Sequence, residues 1–288
     1  MVEGSPTVRR RELGAVLRGL RAGKGLTVDQ VAEVLMCSSS KVSRMETGQR
    51  GATLRDVRDL CDLYGVTDQT ERDRLMSLAR EAKQQGWWQP YDLPYSTYVG
   101  LEAEALTIKD FDSAVIPGLL QTVSYARALQ QVPVPGQPLS ELSPDVVDQR
   151  VEERLRRQQL LYRDERPLKL WSILDEAALH RFVGGPAVMQ EQLKQLIDTS
   201  QMRNVTIQVV PYSVGAHPGL DSTFNILEFA PGVPTIVYIE GLLGWIYLER
   251  AADVERYEFV FERLSEIALS PEESVDLITK INRDFAAQ

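Results

Sequence analysis

The stretch Leu26 to Arg50, LTVDQVAEVLMCSSSKVSRMETGQR, constrains this chain more than any other. Thr27 carries an oxygen where a helix through Leu35 must begin, and Asp29 and Gln30 fall in its first turn, where the helix dipole favours an acid. Val28, Val31, Ala32 and Leu35 recur at offsets of three and four, which gives that helix one apolar stripe. Met36-Cys37 breaks the pattern, and Ser38 is placed to cap a second short helix to about Thr47, with Val42 and Met45 inward. Ser39, Ser40, Lys41, Ser43 and Arg44 then face out, and Gly48 ends the helix. Two short helices, a tight turn and an outer face of hydroxyls and cations have the shape of a unit that enters a DNA major groove. A plain helical hairpin is the alternative. Against it, Ala32 is small where the first helix must cross the second, and the second helix has too few apolar groups to be a packing element.

The same residues resemble the Xre/Cro-type helix-turn-helix family, whose pattern here is Leu26-Thr27, Val31-Ala32 and Ser38 through Gly48. The resemblance implies a small all-α domain that binds DNA. One departure is Val28, where that family often has a glutamine that helps hold the DNA backbone. The missing contact has to come from elsewhere, and Gln30 or the N-terminal arginines are the candidates.

A net charge of −9 is unexpected for a DNA-binding chain until it is divided. Residues 1–86 hold 15 Lys and Arg against 12 Asp and Glu, a balance of +3, and residues 1–58 alone reach +5. The other 202 residues hold 17 against 29, a balance of −12. A basic head on an acidic body suits one domain facing phosphate and another kept away from it. The expected domains are residues 1–86, for DNA, and residues 87–288, for regulation or protein interaction. No apolar run approaches membrane-spanning length, and MVEGSPTVRRREL lacks the apolar segment of a secretory signal. Only two cysteines, Cys37 and Cys61, occur, in helical settings that point to reduced thiols in the cytoplasm. With His180 and His217 scattered, neither a metal site nor a cofactor is expected.

In chain order, Thr7 to Ala22 reads as a helix with Leu13, Val16, Leu17 and Leu20 inward and several arginines on its other faces. Thr53 and Asp68 are placed to cap a fourth and a fifth helix. Gly86-Trp87-Trp88-Gln89-Pro90 marks the domain boundary, followed by Tyr91, Tyr95 and Tyr98. A helical stretch over Tyr98 to Ile108, a strand-like run Phe111 to Ile116 and a helix from Pro117 to Gln130 come next. An exposed loop from Val132 to Pro138 leads into a charged helix, Asp145 to Tyr162. Its Arg150, Arg154, Arg156 and Arg157 interleave with Glu152 and Glu153, as in a salt-bridged solvated helix. Strands are expected over 168–174, 205–210 and 222–229, with a hairpin over 235–249. Helices fall between them, and two more close the chain. The fold class is therefore α+β: a five-helix all-α domain, then an α+β domain with a mostly antiparallel or mixed sheet.

This second half resembles the C-terminal domain of actinobacterial regulators called Scr1-type antitoxin-like. The residues that carry the likeness include Leu101 to Ala105, Pro117 to Thr122, Arg154 to Gln158, Leu174 to Leu179, Gly215 to Gly219 and Val237 to Glu240. The resemblance implies a regulator encoded beside small partner proteins. Two other classes stay open. Catalysis would use His217 with Asp221 or Asp175 and Ser213 or Ser222, but no nucleophile elbow or phosphate loop surrounds them. Small-molecule sensing would use a pocket lined by Trp171, Phe224, Tyr238 and Trp245.

The expected function is thus sequence-specific binding of double-stranded DNA, on a pseudo-palindromic operator and as a homodimer, by a cytoplasmic, nucleoid-associated regulator that is not an enzyme. Ser39, Ser40, Lys41 and Arg44 are expected at base edges, supported by Ser38 and Ser43. Arg9, Arg10, Arg11, Thr27, Gln30 and Arg50 are expected at phosphates. Glu46 would repel phosphate and is expected to pin the domain internally to an arginine. Trp87, Trp88, Tyr91, Tyr95 and Tyr98 are the candidate anchors for a small partner protein, with burial as interdomain core the alternative, above all for the Trp pair.

Overall fold

The computed structural model describes residues 5–133, 142–221, 223–241 and 244–286. Ser222, residues 134–138 of the expected exposed loop, and the centre of the expected hairpin turn at 242–243 lie outside the described residues. The chain forms two compact units: Met1–Glu104 with Phe229–Pro234, and Ala105–Glu228 with Thr235–Gln288.

The first unit contains α1 (Pro6–Gly23), α2 (Val28–Val34), α3 (Ser39–Glu46), α4 (Leu54–Tyr64), α5 (Gln69–Glu81) and α6 (Ser96–Glu102). Local chemistry sets most of these ends. Pro6 opens α1, where its missing N–H costs nothing. Thr27 with Gln30, and Thr53 with Asp56, form reciprocal capping boxes, and Ser38 and Asp68 cap α3 and α5. Between α2 and α3, Met36 takes φ 48°, a left-handed turn that costs a side-chain-bearing residue about 1 kcal/mol. Leu13, Leu17, Val31, Val42, Met45, Val57, Leu60 and Leu75 share one core. Each such burial contributes about 1.5–3 kcal/mol.

This unit runs past the expected boundary at residue 86. Trp88, Leu93 and Val99 make their own apolar cluster, and α6 is tied to the start of α1. Ser5 N donates to Glu104 Oε2 at 2.8 Å and Ser5 Oγ to the Gly100 carbonyl at 2.5 Å.

The second unit is built on a six-stranded mixed sheet: β1 (Thr107–Asp112), β2 (Lys169–Asp175), β3 (Val205–Val210), β4 (Phe224–Glu228), β5 (Ile236–Gly241) and β6 (Gly244–Leu248). The spatial order is β3-β2-β1-β4-β5-β6. The first three strands run parallel, and β4, β5 and β6 are added antiparallel. The helices are α7 (Val123–Gln130), α8 (Pro144–Gln158), α9 (Glu176–His180), α10 (Pro186–Thr199), α11 (Ala251–Ile267) and α12 (Pro271–Ala286). The α+β class expected from the sequence is the one observed.

Three local expectations need correction. The helix expected to Ile108 stops at Glu102, and β1 begins at Thr107, before the expected Phe111, because pairing with both β2 and β4 decides the strand. Pro117 does not open a helix; a 3-10 turn at Gly118–Leu120 precedes α7, which Thr122 caps. Helix α8 is not a solvated rod. Its Glu153 and Arg157 are both buried and paired at 3.5 Å, and Arg154 Nη1 donates to Gln121 Oε1 at 2.6 Å.

One face of the sheet carries Phe111, Ile173, Phe224, Ile226 and Val237, packed on Val254, Phe261 and Leu264 of α11. Trp171 belongs to this face, with its ring 5.2 Å from that of Phe261. Tyr238 and Trp245 alternate onto the opposite face, since Tyr238 neighbours Val237 and Trp245 pairs with Glu240. The aromatic pocket expected from Trp171, Phe224, Tyr238 and Trp245 is therefore divided between two faces of one sheet and does not exist as a unit.

Candidate nucleic-acid interface

Helix α3 stands out from the first unit because two of its residues are fastened below it. Glu46 is buried, and Arg21 of α1 grips it with both arms, Nε to Oε1 at 2.6 Å and Nη2 to Oε2 at 2.9 Å. Arg21 Nη1 also donates to the Leu26 carbonyl at 2.8 Å, so the same side chain holds the loop that enters α2. Arg18 Nη2 donates to the Glu46 carbonyl at 2.9 Å. The expected internal role of Glu46 is met, with Arg21 as its partner. Next to this pair, burial first and then the Glu46 carboxylate, opposed by Arg21, push the Tyr64 phenol up to about 12. Gly14 allows the close approach of α1 and α3: a Cβ there would stand 2.5 Å from the Met45 carbonyl oxygen.

The second fastening is Lys41, whose Nζ donates to Asp56 Oδ1 of α4 at 2.7 Å. Burial pushes the Asp56 carboxyl up, but bonds from Lys41, Thr53 N and Thr53 Oγ1 outweigh it and hold it below its ordinary value. Ser39 Oγ donates to Asp29 Oδ1, which ties the start of α3 to α2. Ser38 accepts from Lys41 N at 3.2 Å and is committed to its cap.

What remains facing out from α3 is Ser40, Ser43 and Arg44, with Arg50 beyond Gly48. Arg44 folds back along its own helix, Nε to the Ser40 carbonyl at 3.2 Å and Nη2 to Ser40 Oγ at 3.5 Å. Such exposed intrahelical bonds exchange readily for a base or phosphate acceptor. Thr27 and Gln30 are exposed but joined in their capping box.

The three N-terminal arginines divide. Arg11 is buried, with Gly48 (φ 68°) pressed so close that a Cβ there would lie 2.6 Å from Arg11 Cγ. Arg9 pairs with Glu12 at 2.8 Å, Glu81 at 3.2 Å and Glu104 at 3.4 Å. Their expected phosphate role is corrected: α5 and the residues after α6 bring carboxylates to Arg9, and packing against Gly48 takes Arg11 out of the surface. Arg10 is half-buried and donates to the Pro6 carbonyl at 3.3 Å.

The sequence reading passed over Arg55. Its side chain is 78% exposed in the first turn of α4, beside the Asp56 that holds Lys41. A cation is disfavoured at that end of a helix dipole, and that conflict is the signal that could have found it.

Among the expected partner anchors, Trp88 and Tyr98 are buried and offer no surface, which corrects their assignment. Trp87, Tyr91 and Tyr95 are half-buried against the Trp88 cluster.

The catalytic candidates in the second unit resolve into structure. His217 Nε2 lies 3.0 Å from Asp175 Oδ2, and its Nδ1 accepts from Gly219 N at 3.2 Å, so both ring nitrogens are engaged. Asp175 Oδ1 meanwhile caps α9 through Ala177 N at 2.8 Å. This is a clamp on the loop after β3. Ser213 lies in a 3-10 turn, Tyr212–Val214, with no bond to His217. Cys37 and Cys61 are free thiols, and burial pushes the Cys61 thiol up, away from reactivity. Among the described residues no helix is long and apolar enough to cross a membrane.

A family described as a helix-turn-helix domain matches residues 12–75, and one described as a domain of unknown function (DUF5753) matches residues 95–280. No curated protein and no solved structure matches the chain.

Proposed function

The chain belongs to the DUF5753 family and carries a helix-turn-helix domain ahead of that region, and from this premise we propose that it is a sequence-specific regulator that reads double-stranded DNA with α3. The observation that carries the reading is the helix itself. It is anchored from below by Arg21–Glu46 and Lys41–Asp56, and it presents Ser40, Ser43 and Arg44 outward. In this reading Ser40, Ser43 and Arg44 lie toward base edges, Ser39 is held to α2 by Asp29, and Thr27, Gln30, Arg50 and Arg55 approach phosphates. Lys41 contributes mainly by positioning, since Asp56 holds its charge.

Helix α3 has eight residues, about 12 Å of helix, and reads only a few base pairs. A homodimer on a pseudo-palindromic operator supplies the remaining affinity. Sedimentation that finds one protomer on a single unsymmetrical site would remove the dimer. The second unit, with its acidic balance, is kept off DNA and receives a small partner protein that alters operator affinity, as the Scr1-type resemblance implies. An operator affinity that does not change when the small protein encoded beside this one is added would remove that part. The protein works in the cytoplasm, on the nucleoid.

The central test is selection of sites from random duplexes by the full chain. Wild type should enrich a two-fold symmetric sequence. Arg44→Ala should lose about 1–3 kcal/mol of binding and relax one or two positions of each half-site. Arg50→Ala should weaken all sequences alike and reduce the salt slope by about 0.9. Arg44→Ala binding as tightly and selectively as wild type would show that α3 is not the reading element.

A further inference from the structure

The edges of the six-stranded sheet are β6 and β3, and β3 carries main-chain groups that DNA binding does not use. Leu170 N donates to the Asn204 carbonyl at 2.8 Å, which sets the phase of the parallel pair. Thr206 and Gln208 turn their N–H and C=O groups toward β2, and Val205, Ile207 and Val209 turn theirs to the outer side. The chain itself closes that side at both ends. Val205 N donates to the Met202 carbonyl at 3.1 Å, Val209 N to Ser274 Oγ at 3.0 Å, and the Val209 carbonyl accepts from Leu269 N at 2.9 Å. Between these closures, the Val205 carbonyl and the N–H and C=O of Ile207 have no partner among the described residues.

A cavity of about 360 Å³ opens on this stretch, the size of a site for a small ligand. Val205, Thr206 and Ile207 of β3 line it, together with Ser200 and Gln201 at the end of α10 and Glu272, Val275 and Asp276 at the start of α12. Glu272 and Asp276 are the only charged residues of the lining. Both are exposed, and neither meets a cation among the described residues. Ser200 Oγ and Gln201 Nε2 are already engaged, the first donating to the Ile197 carbonyl at 2.7 Å and the second to Ser200 Oγ at 3.3 Å. The cavity therefore offers a short strand edge, one donor and two acceptors, beside an acidic rim.

We propose that this groove receives a short extended peptide segment bearing a lysine or arginine, which adds as a strand to β3. The open stretch from Val205 to Ile207 is about 7 Å long at about 3.3 Å per residue, so it holds about three residues of a partner. In antiparallel orientation, the residue set opposite Ile207 donates its N–H to the Ile207 carbonyl and accepts the Ile207 N–H on its own carbonyl. A strand is the occupant because the groups left over are main-chain groups at ladder spacing, and a helix spends its own on itself. It is cationic because Glu272 and Asp276 lack a counter-charge, and the same carboxylates disfavour a free C-terminus. An unpaired sheet edge is a template for pairing, and the closures at Met202 and at Leu269 and Ser274 confine it to this one segment. The groove lies wholly in the second unit, and the proposal stands whether or not α3 reads DNA or a partner changes operator affinity.

Two measurements on the full chain, without DNA, test it. In the free protein the Ile207 amide should exchange its hydrogen about tenfold or more faster than those of Thr206 and Gln208, which are bonded to β2. Selection from a library of random heptapeptides then supplies the probe. Enriched peptides should carry lysine or arginine, and their binding should slow exchange at Ile207. Methylating their backbone nitrogens one at a time should abolish binding at one position at least. Glu272→Gln together with Asp276→Asn, which removes two exposed charges and leaves the shape, should weaken binding about five- to tenfold. The proposal is overturned if Ile207 exchanges as slowly as its neighbours or if no peptide is enriched. It is equally overturned if the enriched peptides leave Ile207 unprotected, tolerate every methylation, or bind the doubly substituted chain as they bind wild type.

Discussion

Glu46 in the helical unit and Asp112 in the mixed sheet are both carboxyls withdrawn from water, and the two regions treat them in opposite ways. Glu46 receives a two-armed guanidinium, and the arm left over holds a neighbouring loop. Asp112 receives no cation among the described residues and has two further carboxylates close by. A buried charge with a complete partner set fixes geometry, here the height and tilt of α3. A buried charge without one weakens the fold.

The largest expected effect breaks the satisfied side of this comparison. Arg21→Met leaves the Glu46 carboxylate buried and unpaired and should cost about 3–5 kcal/mol of stability. Thermal or urea unfolding measures it, and a loss below about 1 kcal/mol would mean that the pair does not hold α3. Gly14→Ala probes the same junction by shape alone. Its Cβ would press on the Met45 carbonyl, which is backbone and cannot step aside, so α1 and α3 must separate. A cost of about 1–3 kcal/mol is expected, with operator affinity lost in proportion.

Smaller effects of opposite sign with pH sharpen the comparison. The Asp112 carboxyl lies above its ordinary value of 3.8 in the folded chain. Its contribution to stability is therefore present below that value and is lost as pH rises through the raised one. Asp112→Asn should match wild type in acid and exceed it near neutrality by about 1–3 kcal/mol. Asp56 is held below its ordinary value, so its contribution is present above 3.8 and is lost as pH falls through the lowered one. Asp56→Asn should cost about 1 kcal/mol near neutrality, through the capping box and Lys41, and progressively less in acid. Unfolding curves for both variants at several pH values would show the two trends diverging. Parallel trends would remove the contrast.

The helical unit was legible because its signals are local. Thr27, Ser38, Thr53 and Asp68 cap helices within three residues of themselves, and the apolar spacing marks each inward face. Even Glu46 could be read, since an acid on a face meant for phosphate has to be neutralised internally. The fates of Arg9 and Arg11 could not be read. Their partners come from residues 12, 48, 81 and 104, and only folding brings these to one end of α1. For the same reason the burial of Tyr98 could not be read before α6 was seen against α1.

In the second unit the sequence determined the class and most strand and helix positions, because alternation and turn residues act over a few positions. It did not determine which strands are neighbours. Ser172, Asp110, Asn225, Tyr238 and Tyr247 are scattered through the chain, and each alone is an ordinary polar residue in or near a strand. Strand order and register, set by long-range pairing that no local pattern encodes, place them in one row. Sequence therefore decided that the chain has a helix-turn-helix head and an α+β body. Tertiary pairing alone decided which charges meet a counter-charge, because a partner is a matter of distance in space.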